Sequence, residues 1–276
     1  MSDTTPISDE RFRHAVDLLD QGQCEALREW IETHPDLMKS TAVDDPSVYG
    51  EYFANARLIW FVAENPNRNN VLPANIAEVT QTLIDLGRKF ANDDLVEQLN
   101  YTLALVTSSM VARQCQQQRP LIQVLVAGGA DPNSGVQSAL AHRELDACLG
   151  MLESGADLTL PLAAGLGMTK EVIQMAKDAD ADTLQQALTM AAINLQAECV
   201  GEILRHDVDV NRFNPKGAHA HSTPLHQAVY GGSEETVRVL LSHGADPRIK
   251  DKIFDSTSID WAHHEGHHEL AQLLSN

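Results

Sequence analysis

The sequence predicts an all-α fold, a solenoid of about seven to eight stacked helix pairs joined by short finger turns. The clearest unit is residues 222–246, in which two short apolar helices flank Gly231-Gly232 and a turn ends the unit at Gly244-Ala245-Asp246. Such a unit is too small to bury its own apolar face, so it requires stacked neighbours. A similar pattern returns 34 residues later, at 257–262. The low aromatic content of 5% fits the packing of small side chains between helices.

Local signals define the two helices of this unit. Pro224 suits the first turn of a helix because its missing N–H would find no intrahelical partner there. Thr223 precedes it and can cap the helix with its hydroxyl group. The glycine pair ends this helix after about two turns. A second helix is predicted from about Ser233 to Ser242, with Val237 and Leu240 on one apolar face.

The helical spacing of apolar residues predicts further pairs before this unit. The amino-terminal pair comprises Phe12–Leu19 and Cys24–Ile31, and the second comprises Arg57–Ala63 and Ile76–Leu86. Tyr101–Val111 is predicted to be the inner helix of the third pair.

Turns of one kind recur after residue 120, each with an aspartate: Asp131, Asp157, Asp209 and Asp246. The first two aspartates are only 26 residues apart, so the inner helix between them should be clipped. The last two are 37 residues apart, which predicts an extended finger loop at Arg212–His221. A clipped repeat should present a thin interface to its neighbours and let the two halves of the stack unfold separately.

The segment Thr223-Pro-Leu-His-Gln-Ala228 matches the T-P-L-H-x-A signature, and the chain resembles the ankyrin-repeat family. This resemblance implies a single repeat domain over residues 1–276. Within it, residues 1–50 are expected to be a divergent N-terminal capping pair and 51–120 divergent repeats with insertions. Residues 121–276 are expected to be recognisable repeats, the last acting as a C-terminal cap. The implied function is a non-catalytic protein-binding adaptor or inhibitor.

Two segments depart from the short fingers of the family, Met38–Tyr52 and Asn65–Pro73. The second resembles an insertion seen in many bacterial ankyrin proteins and therefore predicts a bacterial source. Insertions on solenoids often lie on the binding face, but they can equally cover an exposed end of the stack.

Composition and charge exclude several classes of protein. The net charge of −19 opposes nucleic-acid binding, which requires basic surfaces. No stretch approaches the roughly 18 consecutive apolar residues of a membrane span, and the acidic start lacks the apolar core of a signal peptide. The four cysteines lack a C-x-x-C motif and are predicted to be isolated buried thiols on helices, as in a reducing cytosol. We therefore expect a cytoplasmic monomer without a cofactor.

The carboxy-terminal histidines suggest an alternative function, a metal- or small-molecule-responsive regulatory protein. His263-His264-Glu265-Gly266-His267-His268 contains pairs at i, i+4, which can place two imidazoles on one helix face. Gly266, however, is predicted to lie in the turn between two helices and to interrupt that face. The five residues His264-Glu265-Gly266-His267-His268 have the spacing of the H-E-x-x-H zinc-protease pattern, but that pattern lies on one continuous helix, which the turn at Gly266 would break. No P-loop, dinucleotide fingerprint or nucleophile elbow occurs, so we do not expect an enzyme.

The resemblance also implies a binding groove lined by the finger tips and the exposed side of the inner helices. Tyr230 takes a variable inner-helix position, and Ile253 and Phe254 are finger residues. Large exposed side chains of this kind supply most interface hot spots. Exposure is favoured for Tyr230, whereas exposure of Phe254 and its burial under the next finger are equally open. The predicted partner-binding residues are Tyr230, His264, Glu265, Ile253, Phe254, His219, His221, Arg248, Lys250, Lys252 and Phe213.

Charge adds two expectations about this groove. Arg248, Lys250 and Lys252 either form a basic rim that steers an acidic partner or are ordinary solvated loop residues. Residues 212–276 also hold 8 of the 12 histidines, so an acidic partner should bind more tightly below about pH 6.

In the second helix pair, Glu64 and Asn65 are the groove positions analogous to those of the last two pairs.

Overall fold

The computed structural model describes residues 7, 9–42, 55–65 and 67–275. The prediction of an all-α fold is confirmed, and one antiparallel bridge, between Lys250 and Thr257, is the only strand-like pairing among the described residues. Short 3-10 helices occur at Pro35–Met38, Leu58–Ala63, Pro132–Gly135 and Ala176–Asp178. The α-helices are α1 Glu10–Asp20, α2 Cys24–Thr33, α3 Ile76–Phe90, α4 Leu95–Thr107, α5 Met110–Gln114, α6 Gln118–Gly128, α7 Val136–Ala141, α8 Leu145–Glu153, α9 Leu160–Gly165, α10 Thr169–Met175, α11 Ala181–Ile193, α12 Ala197–Ile203, α13 Pro224–Tyr230, α14 Glu234–Ser242, α15 Ser258–His264 and α16 His268–Ser275.

A shared turn joins the inner, first helix of each pair to the outer, second one. Its central residue has positive φ in all eight pairs that the described residues contain: Gly22, Glu64, Gln116, Arg143, Gly167, Leu195, Gly232 and Gly266. In seven of them the next residue donates its N–H to a carbonyl five residues earlier, as Ser233 does to Ala228 (3.2 Å). This hydrogen bond satisfies a carbonyl that the end of a helix leaves without a partner. The predicted number of helix pairs is therefore confirmed.

The chain divides into two compact units. The first comprises Met1–Val136 and Leu149–Ala156, and the second comprises Gln137–Cys148 and Asp157–Asn276. The single-domain organisation and its internal boundaries stay predictions.

In the first unit the predicted helix pairs are present with shifted ends. Helix α1 packs on α2 and on the 3-10 helix at 58–63, which is shorter than the predicted inner helix. The inner helix of the third pair begins earlier than predicted, at Leu95, and ends at Thr107. It ends there because Ser109 is extended and accepts the N–H of Ala112 (3.1 Å), which starts a separate helix, α5.

In the second unit α9, α11, α13 and α15 form an inner row, and α10, α12 and α14 form an outer row. Their apolar faces share one core that includes Leu225, Val237 and Leu240. The longer spacing has the predicted effect, since the loop between α12 and α13 contains no helix. The prediction of a clipped inner helix is wrong: α7 has six residues, as α9 does, and the 3-10 helix at Pro132–Gly135 directly precedes it. The shorter spacing removes loop residues, because the helical segment begins directly after Asp131.

The inner helices α13 and α15 begin in the same way with different residues. The N–H of Thr223 donates to Nδ1 of His226 (3.3 Å), and the N–H of Thr257 donates to Oδ2 of Asp260 (2.8 Å). In both cases the third helical residue reaches back to the capping residue. The threonine signal of the motif therefore survives in the last pair, although its proline and histidine are replaced.

The four cysteines are free thiols, as expected, but only Cys148 and Cys199 are buried. Burial raises the pKa of the Cys148 thiol to about 12 and also raises the pKa of Cys199. Cys24 and Cys115 are half-buried, and Cys115 follows the end of α5 instead of lying within a helix. Among the helices described, none is both long and apolar enough to cross a membrane.

Candidate protein-binding surface

Trp261 lies at the centre of an aromatic cluster on the inner helices and fingers of the second unit. Its ring centroid is 5.2 Å from His226, 6.0 Å from His221 and 6.2 Å from Tyr230. Its indole Nε1 donates a hydrogen bond to Oδ2 of Asp251 (3.0 Å). Trp261 thus connects α13, α15 and both carboxy-terminal finger loops.

Asp251 organises the last finger. It is 3% exposed, and its Oδ1 accepts the backbone N–H groups of Ile253 (2.8 Å) and Phe254 (2.7 Å). Its Oδ2 accepts the N–H of Ser256 (3.2 Å) as well as the indole of Trp261. Burial by itself raises the pKa of Asp251, but these hydrogen bonds outweigh it and lower the pKa to about 2. The carboxylate therefore remains charged and holds the tip in one conformation.

The tip presents Ile253 and Phe254, which are 64% and 69% exposed. They are the two most exposed large apolar side chains among the described residues. The question left open for Phe254 is therefore decided in favour of exposure. Its backbone is fixed by Asp251, but its side chain is available for contact.

Tyr230 ends α13 and is 50% exposed, as expected. The guanidinium carbon of Arg143 lies 5.1 Å from the centre of its ring. Arg143 Nε donates to the carbonyl of Ile193 (2.7 Å), and Nη2 donates to that of Gln227 (3.0 Å). These carbonyls belong to the last turns of α11 and α13, where the helix dipole favours a positive charge. Arg143 therefore joins two inner helices and supports Tyr230 from one side.

Histidine rings continue this cluster along the longer finger. The His219 ring centroid is 6.4 Å from that of His142 and 6.1 Å from that of His221. His219 Nε2 lies 2.9 Å from the carbonyl of Ala141, which can only accept, so Nε2 carries the proton. Burial lowers the pKa of His219, and repulsion from His142, His221 and Arg143 lowers it further. The hydrogen bond to the Ala141 carbonyl raises the pKa, but by less than burial lowers it. His219 is therefore an anchored residue and not a free finger side chain.

The predicted basic rim is paired at two of its three positions. Arg248 Nε lies 2.9 Å from Oδ1 of Asp246, and Lys250 Nζ lies 2.6 Å from Oδ2 of Asp255. Lys252 instead places its Nζ 3.9 Å from the centre of the Phe213 ring. The neighbouring aspartates therefore compensate most of the positive charge that the sequence places here.

Part of the second unit matches a known protein family. Residues 160–251 match the family model described as ankyrin repeats, in three copies. Residues 160–251 are ankyrin repeats. These repeats include α9 to α14 and most of the last finger, and ankyrin repeats are a protein–protein interaction module.

Three relatives show how far the similarity extends. Palmitoyltransferase AKR1 of Lachancea kluyveri is 38% identical over 80 residues, which is 29% of this chain and 10% of the relative. The ARF GTPase-activating protein GIT1 of Homo sapiens is 38% identical over 72 residues, 26% of this chain and 9% of the relative. Zygote-specific protein 3 of Chlamydomonas reinhardtii is 58% identical over 31 residues, 11% of this chain and 8% of the relative. The chain spans about a tenth of the length of these relatives.

Glu64 and Asn65 do not lie in an exposed groove. Glu64 is fully buried, and its Oε1 accepts the backbone N–H groups of Arg68, Asn69 and Asn70. Its Oε2 lies 2.8 Å from Nη2 of Arg68, and Asn65 Nδ2 donates to Ser108 Oγ (3.2 Å). The prediction is wrong because the inner helix ends at Ala63, so the next residue turns inward and holds the insertion.

His264 and Glu265 lie at the exposed end of α15, 4.0 Å apart between Nε2 and Oε1. Gly266 has positive φ between α15 and α16, so the histidine face is interrupted as predicted. Within the described ranges no group of three or more His, Cys, Asp or Glu side chains could hold a metal ion. No observation favours the metal-responsive alternative.

Three residues important to this surface escaped the sequence predictions. Trp261 stands at the variable position of the ankyrin motif, aligned with Gln227, and that alignment could have identified it. Arg143 occupies the left-handed turn position that Gly232 and Gly266 occupy in the later pairs. No sequence pattern indicated the role of Asp251, because its hydrogen-bond partners come together only when the finger loop folds.

Acid should destabilise the second unit through its buried histidines. Burial lowers the pKa of both His219 and His226 in the folded state, whereas the unfolded chain binds protons near the ordinary value of about 6.5. The folded state thus binds fewer protons, and its stability declines as the pH falls through about 6.5 towards the lowered values. Urea unfolding at pH 7.5 and 5.5 should show this decline, and His219→Gln should make it smaller. Equal declines in parent and variant would contradict the assignment to His219.

Proposed function

We propose that this ankyrin-repeat protein is a non-catalytic adaptor or inhibitor that binds a protein partner through its finger surface. We define the finger surface as Tyr230, Trp261, Ile253 and Phe254, with His221 between the two fingers. The observation that carries the proposal is the tip of the last finger, where the hydrogen bonds of Asp251 hold Ile253 and Phe254 in an exposed position.

The exposed side chains and the fixed backbone of this finger both favour binding. Moving apolar surface from water into a protein interface is favourable by about 25 cal/mol per Å², and exposed apolar side chains have not gained this free energy. A partner that covers Ile253 and Phe254 recovers it. The backbone of the tip and the indole of Trp261 are already fixed by Asp251, so little conformational entropy is lost on binding.

Aromatic side chains give this surface its anchors. Tyr230 is held between Trp261 and Arg143, and tyrosine and tryptophan are enriched among residues that dominate binding energy. We also propose that the protein is a monomer in the cytoplasm of a bacterial cell. The isolated cysteines support a reducing compartment, and the insertion Asn65–Pro73 supports a bacterial source. Two outcomes of binding, inhibition and tethering of the partner, are compatible with the same surface.

The anchors should determine affinity without supporting the fold. After recovery of the partner from the native cytosol by pull-down, Tyr230→Ala and Phe254→Ala should each weaken its binding by about 1–3 kcal/mol, measured by calorimetry. Their unfolding transitions should change little, because both side chains are exposed. Ile173→Ala, which removes an exposed side chain from the outer helix α10, is the matched control and should bind normally. Parent-like binding by both anchor variants would refute the proposal.

A further inference from the structure

A cleft of about 660 Å³ lies beside the longer finger of the second unit. The start of α11 contributes Asp182 and Gln185 to its wall, and the fingers contribute Asp209, Arg212, Phe213 and Lys252. The cleft therefore combines a buried amide, an aromatic ring and charged side chains of both signs.

Gln185 is the first unusual feature of this cleft. The residue is 4% exposed, yet its Nε2 has no hydrogen-bond partner in the part of the chain that the structure describes. Buried polar atoms are nearly always paired, and a buried donor without an acceptor destabilises the fold. An acceptor brought by a ligand would satisfy it.

Lys252 is the second feature. Unlike Arg248 and Lys250 of the same finger, it has no carboxylate partner among the described residues. Its backbone N–H donates to the carbonyl of His221 (2.8 Å), and its ammonium group rests on the Phe213 ring. This cation–π contact positions the charge and leaves N–H donors for a further acceptor.

The remaining charges of the cleft are already engaged. Arg212 Nη1 lies 3.0 Å from Oδ1 of Asp182, so these two compensate each other. Asp209 Oδ1 accepts the backbone N–H of Asn211 (2.9 Å) within its own turn. The ammonium of Lys252 and the buried amide of Gln185 are therefore two donors of the cleft for which the described residues supply no oxygen acceptor.

We propose that this cleft binds a carboxylate from an Asp or Glu side chain of the protein partner. Lys252 neutralises the charge, and Gln185 donates the hydrogen bond that it lacks in the free protein. The inference rests on the proposed function in one respect, because a partner must supply the side chain. In place of the basic rim of Arg248, Lys250 and Lys252 predicted from the sequence, the acidic group of the partner would contact Lys252 and Gln185.

The test uses the ¹⁵N-labelled full chain and N-acetylglutamic acid α-amide, whose only charge is the side-chain carboxylate. Titration should shift the Gln185 side-chain amide and the Lys252 backbone amide saturably, whereas N-acetylglutamine α-amide should not. Lys252→Met should weaken binding of the acidic probe about tenfold, the loss of one charge-assisted hydrogen bond. Lys250→Met is the matched control and should bind like the parent, since Asp255 already pairs with Lys250.

A second variant separates the role of the amide. Gln185→Glu keeps the shape of the side chain but replaces the donor by a like charge, so probe binding should be lost by tenfold or more. Equal shifts with both probes, or an unchanged affinity in Lys252→Met, would overturn the carboxylate site.

The two proposals fail in different ways. If partner binding depends on Tyr230 and Phe254 while the acidic probe does not bind, the finger surface stands and the cleft is refuted. If the probe binds as expected but the partner tolerates both anchor substitutions, the cleft stands and the finger surface is refuted.

Discussion

Leu225→Ala is expected to lower the free energy of unfolding by about 2–5 kcal/mol, the usual range for truncating a fully buried leucine. Leu225 is buried in α13 within the shared core of the second unit. Its removal leaves a cavity between packed inner helices that cannot fully collapse. Urea unfolding monitored by circular dichroism measures the loss. Ile173→Ala, which truncates an exposed residue of the same unit, should stay within about 0.5 kcal/mol of the parent.

Hydrogen exchange should show where that stability is lost. Repeat proteins have stabilities that are close to a sum of repeat and interface contributions. The chain also divides into two compact units near the short repeat between Asp131 and Asp157. We expect Leu225→Ala to reduce protection in α9 to α16 first, while the amides of α3, α4 and α6 remain protected. A uniform loss of protection in all these helices would contradict independent unfolding.

Asp251→Asn is expected to lower the free energy of unfolding by about 2–4 kcal/mol. The asparagine oxygen can still accept from Ile253 and Phe254, but its NH₂ group faces the donors of Ser256 and Trp261. Each donor left without an acceptor costs about 1–3 kcal/mol when it is buried. The indole N–H resonance of Trp261 should move at the same time, which connects the stability change to this hydrogen bond.

Asp255→Asn is the matched control in the same finger. Asp255 is exposed and pairs only with the exposed Lys250, so its substitution should change stability by no more than about 1 kcal/mol. If Asp251→Asn is as stable as this control, Asp251 does not organise the finger.

The acid stability of the finger provides an independent check on Asp251. Its pKa is about 2 in the folded protein and has an ordinary value near 3.9 in an unfolded chain. The carboxylate therefore stabilises the fold above about pH 4, and this contribution disappears as the pH falls towards 2. Asp251→Asn should lack that decline.

The sequence predicted most where a single repeat determines its own structure. Thr223 and Pro224 start α13, and Gly231-Gly232 end it, because capping and backbone freedom act within a few residues. The same logic placed a helix at Arg57–Ala63 but did not show its type, since the structure has a 3-10 helix at Leu58–Ala63 before a left-handed Glu64. Periodicity identifies a buried face and does not determine the type of helix that carries it.

The predicted binding residues fall into two groups for a physical reason. Tyr230 is exposed, as its groove position indicates, and Ile253 and Phe254 are exposed as well, although the sequence left the exposure of Phe254 open. Arg248 is paired with Asp246, only two residues before it, whereas His219 is anchored by the carbonyl of Ala141, 78 residues away. Hydrogen bonds between distant residues leave no periodic trace in the sequence.

The sequence by itself determined the helix pairs, the ankyrin motif and the long finger before α13, since each follows from local spacing and turn residues. Only the tertiary structure decided which side chains work together. Trp261 meets Asp251, Arg143 meets Tyr230, and Lys252 meets the Phe213 ring because stacked repeats bring separate segments into contact. Those contacts depend on packing between repeats, and the local signals that specify each repeat do not contain them.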